Sequence, residues 1–97
     1  MASTKSATAL EGFDATRRWA LSADVSLRDE AFGALAYHHV NRRLVFLKSR
    51  ELVDVVRRLG EFDSAEAAIA ALVGDEARGR YVAALASLAR SGLLDGR

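Results

Sequence analysis

Cysteine is absent from the 97 residues, which excludes a disulfide framework, a thiolate zinc site, an iron–sulfur cluster and a cysteine nucleophile. A dominant charge is missing too. Fourteen Lys and Arg stand against 13 Asp and Glu, for a net charge of +1, where a dedicated nucleic-acid binder carries a clear basic excess. No apolar run approaches the roughly 20 residues of a membrane span. The opening stretch, MASTKSATALEGFD, lacks the apolar core of a secretory signal. These absences predict a cytoplasmic protein that works with no membrane and no nucleic acid.

Catalytic and cofactor signatures are equally sparse. His38 and His39 are the only histidines, and neighbours in a strand point to opposite faces, so they cannot chelate one metal together. The adjacent carboxylates Asp29 and Glu30, and Asp75 and Glu76, suit turns and helix starts better than a paired acid and base. Gly60, Gly74 and Gly79 are spaced to stop or start helices and form no phosphate-cradling run. The expectation is no enzyme, no metal and no cofactor.

What is present is enough apolar matter for one core. With 51% hydrophobic and 28% charged residues, the chain reads as a single soluble globule that hides about two-thirds of its unfolded surface. Residues 1–15, rich in Ser, Thr and Ala, read as a flexible leader, and residues 16–95 as the folded domain. From Arg17 to Lys48 the pattern has period 2: Trp19 with Leu21, Val25 with Leu27, then Leu35 and Tyr37 opposite Ala34 and Ala36, as half-buried strands require. Asn41, a residue suited to a left-handed turn, separates this last stretch from Arg43-Leu-Val-Phe-Leu47 and predicts an antiparallel hairpin.

After Lys48 the period becomes 3.6. Leu52, Val55, Val56 and Leu59 make a first helical stripe between Ser49 as N-cap and Gly60 as stop. Asp63 with Glu66 resembles a capping box for a second helix through Ala65, Ala68, Ile69 and Leu72. The third helix spans Arg78 to Ser91, followed by Gly92 and the apolar pair Leu93-Leu94. On a wheel turned by roughly 100° per residue, its apolar arc from Ala84 through Leu88, Tyr81 and Leu85 to Val82 and Ala86 covers roughly 200°, about twice what core burial needs. Ala84 and Ala86 taken alone are ordinary exposed alanines. Tyr81 and Leu88 are too large to explain that way, so one flank of this helix is expected to meet a partner.

The run Ala31-Phe-Gly-Ala-Leu-Ala-Tyr-His-His-Val-Asn-Arg-Arg-Leu-Val-Phe-Leu-Lys-Ser49, preceded by Trp19-Ala-Leu21 and Val25-Ser-Leu-Arg28, resembles the mycofactocin-system peptide chaperone family, from about Trp19 to Leu94. That family is similar to the pyrroloquinoline quinone biosynthesis peptide chaperone. The resemblance implies an α+β winged helix-turn-helix fold, the precursor-peptide recognition element, with an N-terminal three-stranded antiparallel sheet followed by three helices. It implies a non-enzymatic role: binding the leader of a ribosomally made precursor peptide and presenting it to a radical S-adenosylmethionine maturase, which acts on the peptide's terminal Val-Tyr pair. Binding would proceed by strand addition. The implied peptide-binding residues are Arg43, Leu44, Val45, Phe46 and Leu47 on the third strand, with Leu44 and Phe46 facing the core or groove, and Tyr81, Leu85 and Leu88 on the third helix. The alternative is a winged-helix DNA-binding module using Arg42 and Arg43 at the hairpin with Arg57 and Arg58 on the first helix.

Overall fold

In the computed structural model, which describes residues 13–97, the most regular period-2 stretch becomes the central strand of an antiparallel sheet. β1 (Trp19–Leu21) precedes β2 (Val25–Glu30), β3 (Gly33–His38) and β4 (Leu44–Leu47), and the sheet order is β2-β3-β4. Register sets Leu27, Ala36 and Val45 side by side on one face and Arg28, Leu35 and Phe46 on the other. Ala34, Ala36 and Leu47 are fully buried, so the first of these faces is the inner one. Leu44 and Phe46 have the opposite parity and are 55% and 53% exposed, which corrects the expectation that they face the core. The reason is packing room: an inner face of alanines lets the helical layer approach closely, and the larger outer residues stay outside.

The hairpin turn differs in detail from its expected form. Arg42, not Asn41, takes the left-handed conformation, at φ 66°. Asn41 instead uses its side chain, whose Oδ1 accepts from the Arg43 amide at 2.9 Å, the local competition for backbone donors typical of this residue.

β1 does not join this sheet. It pairs antiparallel with β5 (Leu94–Gly96), Trp19 opposite Gly96 and Leu21 opposite Leu94, so the expected N-terminal three-stranded sheet is corrected to two sheets of three and two strands. Leu93 and Leu94 are buried, and the Ser22 amide donates to the Leu93 carbonyl at 2.8 Å. The apolar pair Leu93-Leu94 thus leads into a strand. Three residues ending in Asp-Gly are too few and too polar to show a period, and their partner lies at the other end of the chain.

Three α-helices follow the hairpin among the described residues: α1 (Arg50–Arg58), continued by a 3₁₀ turn at Leu59–Glu61, α2 (Ala65–Leu72), and α3 (Arg78–Arg90), preceded directly by a 3₁₀ turn at Asp75–Ala77. Ser49 caps α1 by accepting from the Leu52 amide at 3.1 Å, and α1 buries Val53, Val55 and Val56 beneath the sheet. The cap of α2 is Ser64, which accepts from the Ala67 amide at 3.0 Å, and not Asp63 as the capping-box spacing suggested. Glu66 is engaged elsewhere, with Arg78. α3 ends in a Schellman arrangement: Gly92 at φ 84° lets the Leu93 amide donate to the Leu88 carbonyl and its own amide to Ala89, both at 3.0 Å.

Of the expected leader, residues 1–12 lie outside the described residues. Phe13–Ala15 pack on the domain: the Phe13 ring sits 4.8 Å from that of Trp19, Trp19 Nε1 donates to the Asp14 carbonyl at 2.9 Å, and the Ala15 carbonyl accepts from Glu66. The Thr16 hydroxyl and amide both donate to Asp14 Oδ1, at 2.6 and 3.0 Å, and these bonds hold the Asp14 carboxyl below its ordinary value.

Three stability outcomes are expected. A Cβ at Gly33 would collide with the Leu47 carbonyl, whereas one at Gly79 meets open space; Gly33→Ala should cost about 2 kcal/mol or more in denaturant unfolding, while Gly79→Ala stabilises by about 0.5–1 kcal/mol. Ser64→Ala should cost about 1 kcal/mol and Asp63→Ala a few tenths at most. Because the Asp14 carboxylate is favoured in the folded state, its stabilising contribution is complete above the ordinary carboxyl range and is lost as pH falls through its lowered folded value. Thr16→Val should therefore move Asp14 back towards the ordinary value in an NMR titration.

Candidate functional site

β4 has a partner on one side only. The His38 amide donates to the Arg43 carbonyl at 2.9 Å, which places residue 43 in a hydrogen-bonded pair with β3. By the alternation of an antiparallel ladder, Val45 and Leu47 also direct their backbone groups to β3, and Leu44 and Phe46 direct N–H and C=O to the open edge. The same two residues expose their side chains on the outer face, where the Phe46 ring meets that of Phe32 at 5.7 Å; Phe32 is itself 44% exposed. A free edge flanked by uncovered aromatics is what most proteins avoid unless something pairs with it.

The chain from Asn41 to Leu52 runs alongside α3 in the opposite direction. At one end Asn41 Nδ2 donates to the Ser91 carbonyl at 3.4 Å. At the other, a cavity of about 590 Å³ is lined by Ser49, Glu51 and Leu52 at the start of α1, Leu72 and Val73 at the end of α2, and Arg80, Tyr81 and Ala84 on α3. The sheet rests on α1, and α3 meets the hairpin at Asn41 and the start of α1 at the cavity. Its face towards the cavity is the Tyr81–Ala84 flank, while Val82 and Ala89 pack half-buried against the core.

The residues singled out from the sequence separate into two sets. Arg43, Leu44 and Phe46 are exposed along β4, and Val45 is half-buried. Leu47 and Leu85 are wholly buried core residues, and Leu88 is 5% exposed. Tyr81 is mostly buried yet contributes to the cavity wall. Leu52, Val73 and Ala84 also line the cavity and were not anticipated. Ala84 did leave a signal, at the margin of the over-wide apolar arc, but an alanine alone is uninformative; Val73 left none, because its place depends on how α2 ends against α3.

The four arginines of the DNA-binding alternative do not form one surface. Arg57 pairs with Asp29 at 2.7 Å and Arg58 with Glu61 at 3.1 Å, while Arg42 and Arg43 stay exposed at the turn. His38 Nδ1 accepts from the Val40 and Asn41 amides at 3.2 Å, and His39 Nε2 bonds Ser26 Oγ at 2.6 Å. Each ring thus serves its own hairpin. Among the described residues no group of three or more His, Asp or Glu side chains is placed to hold a metal ion, and no helix is long and apolar enough to cross a membrane.

A peptide chaperone MftB from Mycobacterium ulcerans is 43% identical over 94 residues, covering 96% of this chain and 86% of its own length. Those from Mycolicibacterium smegmatis and Mycobacterium tuberculosis are each 42% identical over 83 residues, covering 84% of this chain and 81% and 76% of their own lengths. No solved structure matches significantly. The family model for the peptide chaperone MftB matches residues 18–95, from the strand that begins at Trp19 to the strand that closes the chain, and the protein therefore belongs to the peptide chaperone MftB family, a family of non-catalytic helpers.

Proposed function

We propose that the chain is the peptide chaperone of a mycofactocin pathway, binding the leader of a precursor peptide by strand addition and presenting the peptide to a radical S-adenosylmethionine maturase. On this reading the domain is a winged helix-turn-helix peptide-recognition element acting in the cytoplasm. The observation that carries it is the open edge of β4, with the backbone groups of Leu44 and Phe46 unpaired by the sheet, between the Asn41 contact with the end of α3 and the cavity at Tyr81. An incoming strand would hydrogen-bond there and alternate its side chains between the outer patch of Phe32, Leu44 and Phe46 and the cavity at Tyr81 and Ala84. Arg43 and Val45 border the strand, and Leu47, Leu85 and Leu88 hold the groove from behind. The chemistry belongs to the maturase, since a cluster-binding partner needs the thiolates this chain lacks.

Magnitudes identify what sets affinity. Ordering each leader residue costs about 1–2 kcal/mol, and each new hydrogen bond returns a net of about 0.5–1.5 kcal/mol. Pairing at best breaks even. Two or three apolar anchors at about 1.5–3 kcal/mol each supply the surplus and place the affinity near micromolar or somewhat tighter.

The test combines calorimetry with hydrogen exchange, using the leader of the cognate precursor peptide. Binding near micromolar, with slowed exchange at the Leu44 and Phe46 amides, is expected. Phe46→Ala and Leu44→Ala remove exposed side chains, so they should leave the fold intact and weaken binding by about tenfold each. Absence of binding would sink the chaperone reading, and binding without protection at those two amides would sink strand addition.

A further inference from the structure

The charge balance of the whole chain conceals a strong local imbalance. Along the two segments that flank the groove, Asn41–Leu52 and Arg80–Gly92, six cations stand against one acid, Glu51. All six cations are exposed. Elsewhere four arginines find carboxylates, Arg28 with Glu30, Arg57 with Asp29, Arg58 with Glu61 and Arg78 with Glu66, and Arg18 donates to the Gly60 carbonyl at 2.7 Å. Around the groove, among the described residues, they form no ion pairs; Arg50 reaches only the Glu30 carbonyl, at 3.5 Å.

Their placement follows the course of β4. Arg42 and Arg43 lie at its start, where Asn41 touches the end of α3 and Arg90 is the last helical residue. Lys48 lies at its finish, next to the cavity to which α3 contributes Arg80. Between the two groups run the exposed apolar side chains of Leu44 and Phe46. Cations close together raise the local potential and repel one another, a cost with no return inside the folded chain. The return comes when an anionic partner arrives.

Resting on the strand-addition reading, we infer that the segment captured by β4 is an acidic peptide, with carboxylates at both ends of an apolar centre that meets the cation groups at Arg42, Arg43 and Arg90 and at Lys48 and Arg80. A nucleic acid fits less well. Its phosphates would use the cations but leave the strand-spaced backbone groups at Leu44 and Phe46 unpaired.

The inference is tested with the full chain and three labelled peptides that share one Val- and Leu-rich centre and carry Glu, Gln or Lys pairs at both ends, with a single-stranded DNA oligonucleotide alongside. Fluorescence anisotropy at about 50 mM NaCl should give an affinity for the Glu peptide about tenfold above that for the Gln peptide, with the Lys peptide weakest and the gap closing at about 500 mM. Arg42→Gln, Lys48→Gln and Arg90→Gln should each weaken the Glu peptide about two- to fivefold and leave the Gln peptide unchanged, a control for folding. Equal affinity for the Glu and Gln peptides at low salt overturns the charge inference and leaves strand addition standing. Binding of none of the peptides overturns both, and tighter binding of the DNA than of the Glu peptide replaces the peptide with a nucleic acid.

Discussion

The close approach of β3 to the helical layer sets the position of everything else. Ala34 and Ala36 bring almost no side-chain volume to the inner face, and both are buried. At Gly33 the Leu47 carbonyl occupies the space a Cβ would need, so strands β3 and β4 meet at their base through backbone alone. β3 is seated on α1, Leu47 fills the inner face beside Ala34, and Leu44 and Phe46 point outward by the alternation of β4.

Closure by the chain's two ends complements this arrangement. β1 and β5 form their own small sheet, and the Trp19 ring lies against Gly96. The Schellman turn at Gly92 redirects the chain from α3 into β5, and the same turn lies against Asn41 and His38 of the hairpin. α3 is therefore fastened at its end to both sheets. The outer edge of β4 remains unpaired by the sheet.

Much of this was legible locally. Period-2 alternation located the strands, 3.6-residue periodicity located the three helices, and Ser49 announced the start of α1, because each depends on neighbours within a few residues. The wide apolar arc on α3 pointed to a partner-facing flank, but its large residues Tyr81, Leu85 and Leu88 are buried in the core and Val82 and Ala89 pack against it. Three further features misled or gave no signal. Asp63 matched a capping box but lost to Ser64, one residue nearer the helix. Asn41 was the better left-handed residue by type, yet Arg42 adopts that conformation. β5 carried no pattern at all.

The amino-acid order by itself determined the absence of thiol chemistry, the mixed α+β character and the kinship with peptide chaperones, since composition, periodicity and runs of residues are properties of the chain alone. Tertiary structure decided which face of β4 is open, that β1 pairs with the chain's end, and that Ala84 and Val73 line the cavity with Tyr81. It also decided where the charges gather. A net charge of +1 is a sum, and a sum holds no positions; only folding pairs four of the arginines with carboxylates and leaves a cationic frame around one strand edge.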